Sequence, residues 1–275
     1  SARPLTIALL VMSNYTPKWI HRIKLENGKW IFVPSQSSRL SGKAIVKKVK
    51  LEWAPPKYFY HLRRGGHLAA LNAHLENKYF SRLDIKNFFG SITASRITRT
   101  LKPYFGYNLS RDIAKQSTVR IPGLLERKLM LPFGFIQSAI LASICLDKSS
   151  LGIFLKRIKR DKSLSLSVYM DDILISSNDQ QRLIEVTAEL KSYFSKSHWV
   201  SNAGKEVIAA DSMTAFNIDM LQYEMRVSEE KMKQFAFNFS ETENINKKKG
   251  IYSYVKTVND GQLIDLVKVA QSYPA

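Results

Sequence analysis

The chain has 275 residues, 45% of them apolar, enough to bury a substantial core as one multi-lobed unit or two domains. Its single cysteine, Cys145, excludes an internal disulfide framework, and no apolar run reaches the roughly 18 residues that span a bilayer, so a reducing, cytoplasmic setting without a membrane partner is expected. Forty-two Lys and Arg against 23 acids give a net charge of +19, well past the magnitude of about 2–8 that serves solubility in a small domain, and this points to nucleic acid as partner.

Taken in order, residues 5–12 are too short and poorly flanked for a signal peptide and read as a first core element. Residues 13–60 carry turns at Asn27-Gly28 and Ser41-Gly42 between short apolar runs, then a basic segment over 43–50; a small, mostly extended lobe is expected. Arg63-Arg64-Gly65-Gly66-His67 reads as a basic turn whose glycines let the backbone approach a partner closely; phosphate binding and simple exposure both remain open on these residues alone. Helical spacing over 68–77 leads into a strand over 79–85. Thr93 is expected to cap a helix to about Leu101 and Ser110 a second over 111–119, with loop over 120–135. From Gln137 to about Lys159 apolar residues recur at 140, 141, 144, 151, 154, 155 and 158, predicting one long amphipathic helix with a basic end. Asp179 is placed to cap a helix to about Ser197, short strands follow near 206–210, 213–218 and 221–227, and Ser228-Glu229-Glu230 opens another helix before a last one from about Gln262.

Within this frame, Tyr169-Met170-Asp171-Asp172 forms the tip of an apolar hairpin. Adjacent carboxylates there repel one another and are costly to desolvate unless a cation sits between them. A third acid, Asp84, ends the strand that precedes Ile85-Lys86-Asn87-Phe88-Phe89. The order strand, helices, hairpin predicts an α+β fold whose sheet brings Asp84 beside Asp171 and Asp172.

Asp84-Ile-Lys-Asn-Phe-Phe and Tyr169-Met-Asp-Asp resemble the two metal-binding motifs of reverse transcriptases. Leu131-Pro-Phe-Gly-Phe-Ile-Gln-Ser-Ala139 stands where that family has Leu-Pro-Gln-Gly-x-x-x-Ser-Pro, Asn202-Ala-Gly-Lys205 resembles its Asn-x-x-Lys motif, and Ala215-Phe-Asn-Ile218 its primer-grip strand. The resemblance covers about residues 58–225. It implies a right-hand polymerase: an antiparallel palm sheet with helices on one face over 79–227, fingers over 1–78 with an insertion near 93–131, and a short C-terminal thumb over 228–275. Its small size, and the lack of an RNase H or integrase segment in these residues, make it similar to bacterial reverse transcriptases. The basic turn at 63–67 and Leu71-Asn72-Ala73-His74 favour the antiphage defence-associated group over retron enzymes, whose downstream Val-Thr-Gly triplet is missing.

The implied activity is RNA-directed DNA synthesis from deoxynucleotides on a primer, with two Mg²⁺ ions, replaceable by Mn²⁺, at Asp84, Asp171 and Asp172, with Ile85 counted in the metal set. Template-independent or protein-primed synthesis, and an RNA-binding maturase-like module, are the alternatives. By the same resemblance Lys205 is the proton donor to pyrophosphate; Arg63, Arg64, His67, Ile85, Lys86, Phe88, Phe89, Phe133, Gly134 and Gln137 form the nucleotide site; Ile85 and Lys86 lend backbone amides; and Phe89 gates against the ribose 2′-hydroxyl. Tyr169, Met170, Phe216 and Asn217 would meet primer and template. Phe133 and Ala139 depart from the family pattern at the nucleotide and template pocket, which bears on substrate or template preference. The expected partners are a template RNA, of the non-coding kind, and the nascent DNA, with a protein partner or a second copy helping a thumb this short.

Overall fold

The computed structural model describes residues 17–26, 28–122 and 129–271; the first core element expected at 5–12, and Asn27 of the first turn, lie outside the described residues. In chain order the elements are β1 (Trp19–Lys24), β2 (Trp30–Pro34), α1 (Gln36–Glu52), α2 (Gly66–Asn72), β3 (Tyr79–Asp84), α3 (Ala94–Ser117), β4 (Val119–Arg120), β5 (Leu129–Met130), α4 (Ser138–Asp147) and α5 (Ser150–Arg160). They continue with β6 (Ser165–Tyr169), β7 (Asp172–Ser177), α6 (Gln180–Lys196), β8 (Val207–Ala210), β9 (Met213–Ala215), β10 (Ile218–Leu221), β11 (Glu224–Val227), α7 (Glu229–Glu241), α8 (Ile245–Val258) and α9 (Gln262–Gln271). The fold is α+β, as expected. Two compact units divide it: residues 17–52 with 92–141, and residues 53–91 with 142–271.

The first unit holds two antiparallel ribbons, β1–β2 and β4–β5, and a small core of Phe32, Val119 and Phe135 with Trp19 and Trp30 packed against it. The lobe is less extended than expected, because Ser41-Gly42 is no turn: both lie inside α1. Gly42 stands there because a Cβ would fall 2.4 Å from the Gln137 Oε1 atom. Gly134, at φ 101°, is fixed the same way: a Cβ would lie 2.2 Å from the Phe32 carbonyl oxygen.

Thr93 caps α3 as expected, its side chain accepting from the Arg96 amide at 3.2 Å. The second cap is misplaced. The break comes at Gly106 (φ 70°, ψ 173°), three residues after Pro103, and Ser110 sits within the second arm, its hydroxyl donating to the Gly106 carbonyl at 2.6 Å.

In the second unit an antiparallel sheet runs in the order β6-β7-β3-β8. Cross-strand partners share a face, so the register Asp84↔Asp172, Arg82↔Leu174 and Phe80↔Ser176 puts those six residues on one side. On the other side lie Ser81, Leu83, Ile173 and Ile175, and α5 and α6 pack against that sheet. Asp179 caps α6 by accepting from the Arg182 amide, and Leu183, Val186, Leu190 and Phe194 are its buried stripe.

The long helix expected over 137–159 is instead two helices bent by 74°. Apolar spacing continues across the break and conceals it. Ser149 ends one hydrogen-bond ladder and starts the next, donating to the Leu146 carbonyl at 2.7 Å and accepting from the Gly152 amide at 3.2 Å. Gly152 lets the ends cross, since a Cβ there would sit 2.2 Å from the Leu146 carbonyl oxygen. Residues 215–218 likewise form no single strand. Phe216 (φ 57°) and Asn217 (φ 61°) make a tight turn between β9 and β10. A second core joins Phe80 and Leu174 to β9–β11 and α7–α9, with Met220, Val255 and Leu266 fully buried. Among the described residues no single helix is long and apolar enough to cross a membrane.

Candidate active site

Two strand ends and one turn make the site. β3 ends at Asp84, β7 begins at Asp172, and Met170-Asp171 is the two-residue turn between β6 and β7. One carboxylate oxygen from each of Asp84, Asp171 and Asp172 lies within 4.8 Å of the others. Asp84 and Asp172 are buried and Asp171 is half-buried.

Neighbouring groups hold each acid in place. The Asp84 carboxylate accepts from Asn202 Nδ2 at 3.0 Å and faces Lys205 Nζ at 3.5 Å, while its carbonyl accepts from the Asn202 amide at 2.9 Å. The Asp171 carbonyl accepts from the Ile85 amide at 2.9 Å, which pins the turn to β3. Arg82 grips Asp172 Oδ1 through Nε (2.8 Å) and a terminal nitrogen (2.7 Å), and donates from its other terminal nitrogen to the Thr214 carbonyl at 2.7 Å. Burial nevertheless pushes the Asp172 carboxyl above its ordinary range, with repulsion from Asp84 adding to it; Arg82 and, more weakly, Lys205 pull the other way. The three acids thus form a converging all-oxygen donor set. Hard oxygen donors suit Mg²⁺ or Mn²⁺, so the residues present fit such ions.

Two histidines that sequence reasoning passed over position the hairpin. Met170, at φ 57°, donates its amide to His61 Nδ1 at 3.0 Å. An N–H can only donate, so the ring proton sits on Nε2, which donates to Ser143 Oγ at 2.7 Å. His74 is fully buried between Ser176 Oγ (2.7 Å) and Ser167 Oγ (2.8 Å), bridging β7 to β6 on the side of the sheet that carries the acids. Burial, only partly opposed by the Val168 backbone, lowers His61 to about 4. For His74, burial and then the nearby Lys159 charge lower it to about 3.

A folded-state pKa below the ordinary 6.5 means that the unfolded chain takes up protons which the folded chain refuses, so stability is lost as pH falls from 6.5 toward those values. We expect about 2–3 kcal/mol of lost stability per histidine between pH 7 and 4.5, read from urea midpoints. A His61→Asn/His74→Asn chain should show a flatter dependence. Equal slopes would mean that neither ring is held neutral.

The remaining expected site residues divide. Tyr169 and Phe216 come together, with ring centroids 5.1 Å apart. His67 joins them, 5.7 Å from the Phe216 ring, and its Nε2 lies 3.0 Å from the Tyr254 hydroxyl of α8. Its ring is therefore engaged with the C-terminal helices. Arg63 folds back over the Tyr60 ring (4.9 Å) and onto the Lys57 carbonyl. Arg64 is exposed. Gly65, at φ 91°, makes this turn, since a Cβ would meet Ala69 Cβ at 2.6 Å.

The amides of Ile85 and Lys86 donate to the Asp171 carbonyl (2.9 Å) and the Val200 carbonyl (2.8 Å). Phe88 and Phe89 are buried, their rings 5.5 Å apart, with Trp199 5.4 Å from Phe88. In the other unit, Phe133 accepts through its carbonyl from the Phe32 amide at 2.9 Å, and Lys29 Nζ lies 5.3 Å from its ring centroid. Gln137 is buried in the same unit. It is 1% exposed, wedged against Gly42 and donating to Ser117 Oγ at 3.3 Å.

This arrangement of sheets and helices is similar to that of solved reverse transcriptases. A foamy viral protease–reverse transcriptase in complex with double-stranded DNA superposes with TM-score 0.53 at 16% identity, over 92% of this chain and 46% of that one. The dRH form of that viral protein, also with double-stranded DNA, gives TM-score 0.52 at 16% identity, over 92% of this chain and 39% of that one. The chain therefore spans less than half the length of these structures, and the likeness shows the fold. Residues 23–251 match the family described as reverse transcriptase (RNA-dependent DNA polymerase), and the chain belongs to that family of nucleotidyltransferases.

Proposed function

We propose that this chain is an RNA-directed DNA polymerase that extends a primer 3′-hydroxyl with deoxynucleotides at Asp84, Asp171 and Asp172. The observation that carries the reading is the convergence of one oxygen from each acid within 4.8 Å at the end of a central sheet. Divalent ions held there would stabilise the attacking and leaving oxygens of an in-line displacement. In this reading Arg82 commits one oxygen of Asp172, which makes Asp172 the more peripheral ligand. Lys205, half-exposed beside Asp84, is our candidate for proton delivery to pyrophosphate. With Arg63 folded back and His67 engaged elsewhere, Arg64 is our candidate for the triphosphate. Tyr169, Met170, Phe216 and Asn217 are assigned to the primer end.

We further assign fingers to the unit of 17–52 and 92–141, palm to the sheet unit, and a short thumb to its C-terminal helices. The defence-associated bacterial subgroup is supported by the motifs at 63–67 and 71–74 alone. Primer extension on RNA, with and without template and with and without Mg²⁺, tests the assignment. Template-free products would replace it with template-independent synthesis, and no incorporation under any condition would leave RNA binding.

Phe89→Ala is expected to lower the ratio of deoxynucleotide to ribonucleotide incorporation, because the ring no longer clashes with a 2′-hydroxyl. The ratio is read on one template with each nucleotide set. An unchanged ratio in an active variant would make Phe89, 7% exposed against Phe88, a packing residue only.

A further inference from the structure

The break in α3 builds a second feature, one that takes no part in the acidic site. Ser95, Arg99 and Lys102 recur at i, i+4 and i+7 along the first arm, and Tyr107, Arg111 and Lys115 at i, i+4 and i+8 along the second. Each set marks one helical face. With the backbone turned at Gly106, both faces line one cavity of about 450 Å³, floored by small residues such as Ala94 and Ala114.

Among the described residues, four of its lining side chains are cationic and none is acidic; Asp112, the one acid of α3, does not line it. Arg99, Lys102, Arg111 and Lys115 are all exposed. Four like charges around one concavity repel each other, so the elbow favours an anion with several charges over an isolated one. Tyr107, 54% exposed at the mouth of the second arm, adds a ring face beside the cations. Fixed cations spaced along a groove with an exposed ring match a ligand that alternates phosphates with planar bases.

We propose that the α3 elbow binds single-stranded nucleic acid, seating about two to four backbone phosphates on Arg99, Lys102, Arg111 and Lys115 and stacking one base on Tyr107. The proposal extends the polymerase reading by naming where a strand is held, but it requires no catalysis. A strand is favoured over a free nucleotide because the cations are distributed along both arms rather than focused on one point.

The test uses the full chain and a fluorescent 12-nucleotide single-stranded RNA, with affinity measured from about 50 to 200 mM salt. Arg99→Ala/Lys102→Ala and Arg111→Ala/Lys115→Ala are made separately and together, so that a fold lost in one does not silence the other. Melting curves confirm folding. The control removes four exposed cations of the other unit, Lys78, Arg160, Lys162 and Lys196. The elbow variants should weaken binding at least tenfold more than the control, with the salt slope falling by about 0.7 for each phosphate no longer neutralised. Tyr107→Ala should weaken it roughly fivefold or more at an unchanged slope.

Losses no greater than the control's would overturn the proposal. Competition by free ATP as effective as that of RNA at equal nucleotide concentration would also overturn it, in favour of a mononucleotide pocket. RNA binding is measured without nucleotide or divalent ion and is scored apart from primer extension. Failure of the polymerase reading and failure of this one are therefore separate outcomes.

Discussion

Asp171→Asn is expected to lower deoxynucleotide incorporation by about a thousandfold or more, since a metal-borne stabilisation worth several kcal/mol is lost and each 1.36 kcal/mol is a factor of ten. The fold should survive. Asp171 is half-buried, and the substitution leaves alone its backbone carbonyl, which accepts from the Ile85 amide. With Mg²⁺ the two chains should diverge: the parent's melting temperature rises with ion concentration, as binding to the folded state requires, and the variant's rises less. Incorporation near the parent rate, or identical Mg²⁺ shifts in both chains, would show that the acids hold no catalytic ion.

Arg82→Met should be the most damaging single change outside the acids themselves. It leaves Asp172 buried with no cation at hydrogen-bond distance, and breaking a buried pair from one side costs about 3–5 kcal/mol. It also frees the Thr214 carbonyl, loosening β9 from the strand that carries Asp84. The double variant Arg82→Met/Asp172→Asn should recover much of the loss, since a neutral amide is far cheaper to bury than an unpaired carboxylate. Urea unfolding of the four chains gives the cycle. Additive losses would mean that Arg82 acts through packing and the β9 contact, not through Asp172.

The acids were legible in the sequence because strand patterning and spacing are local and the sheet register follows from them. Asp179 and Thr93 were readable as caps for the same reason. What escaped depended on contacts distant in sequence. Ser41-Gly42 reads as a turn until Gln137 is seen to need the space. The break between α4 and α5 lies within unbroken apolar spacing, and only the fit of Gly152 against the Leu146 and Asp147 carbonyls demands it. Buried His74 left a fainter mark. Ser165, Ser167 and Ser176 punctuate otherwise apolar strands on one face, and such a stripe of hydroxyls calls for a buried polar partner, which His74 and Asn77 supply. The bonds from the Ile85 and Lys86 amides to the Asp171 and Val200 carbonyls also left no mark in the sequence, which does not show which distant carbonyl returns to them.

The contact between His67 and Tyr254 has a consequence for how distant binding events communicate. His67 touches Tyr169 and Phe216 on one side and is hydrogen-bonded to α8 on the other, so the hairpin tip and the C-terminal helices share one aromatic cluster. A molecule that draws α8 away must break that bond and strip Tyr169 of a neighbour. By reciprocity, a ligand at the hairpin that requires Tyr169 in place would weaken the binding of that molecule by the same factor.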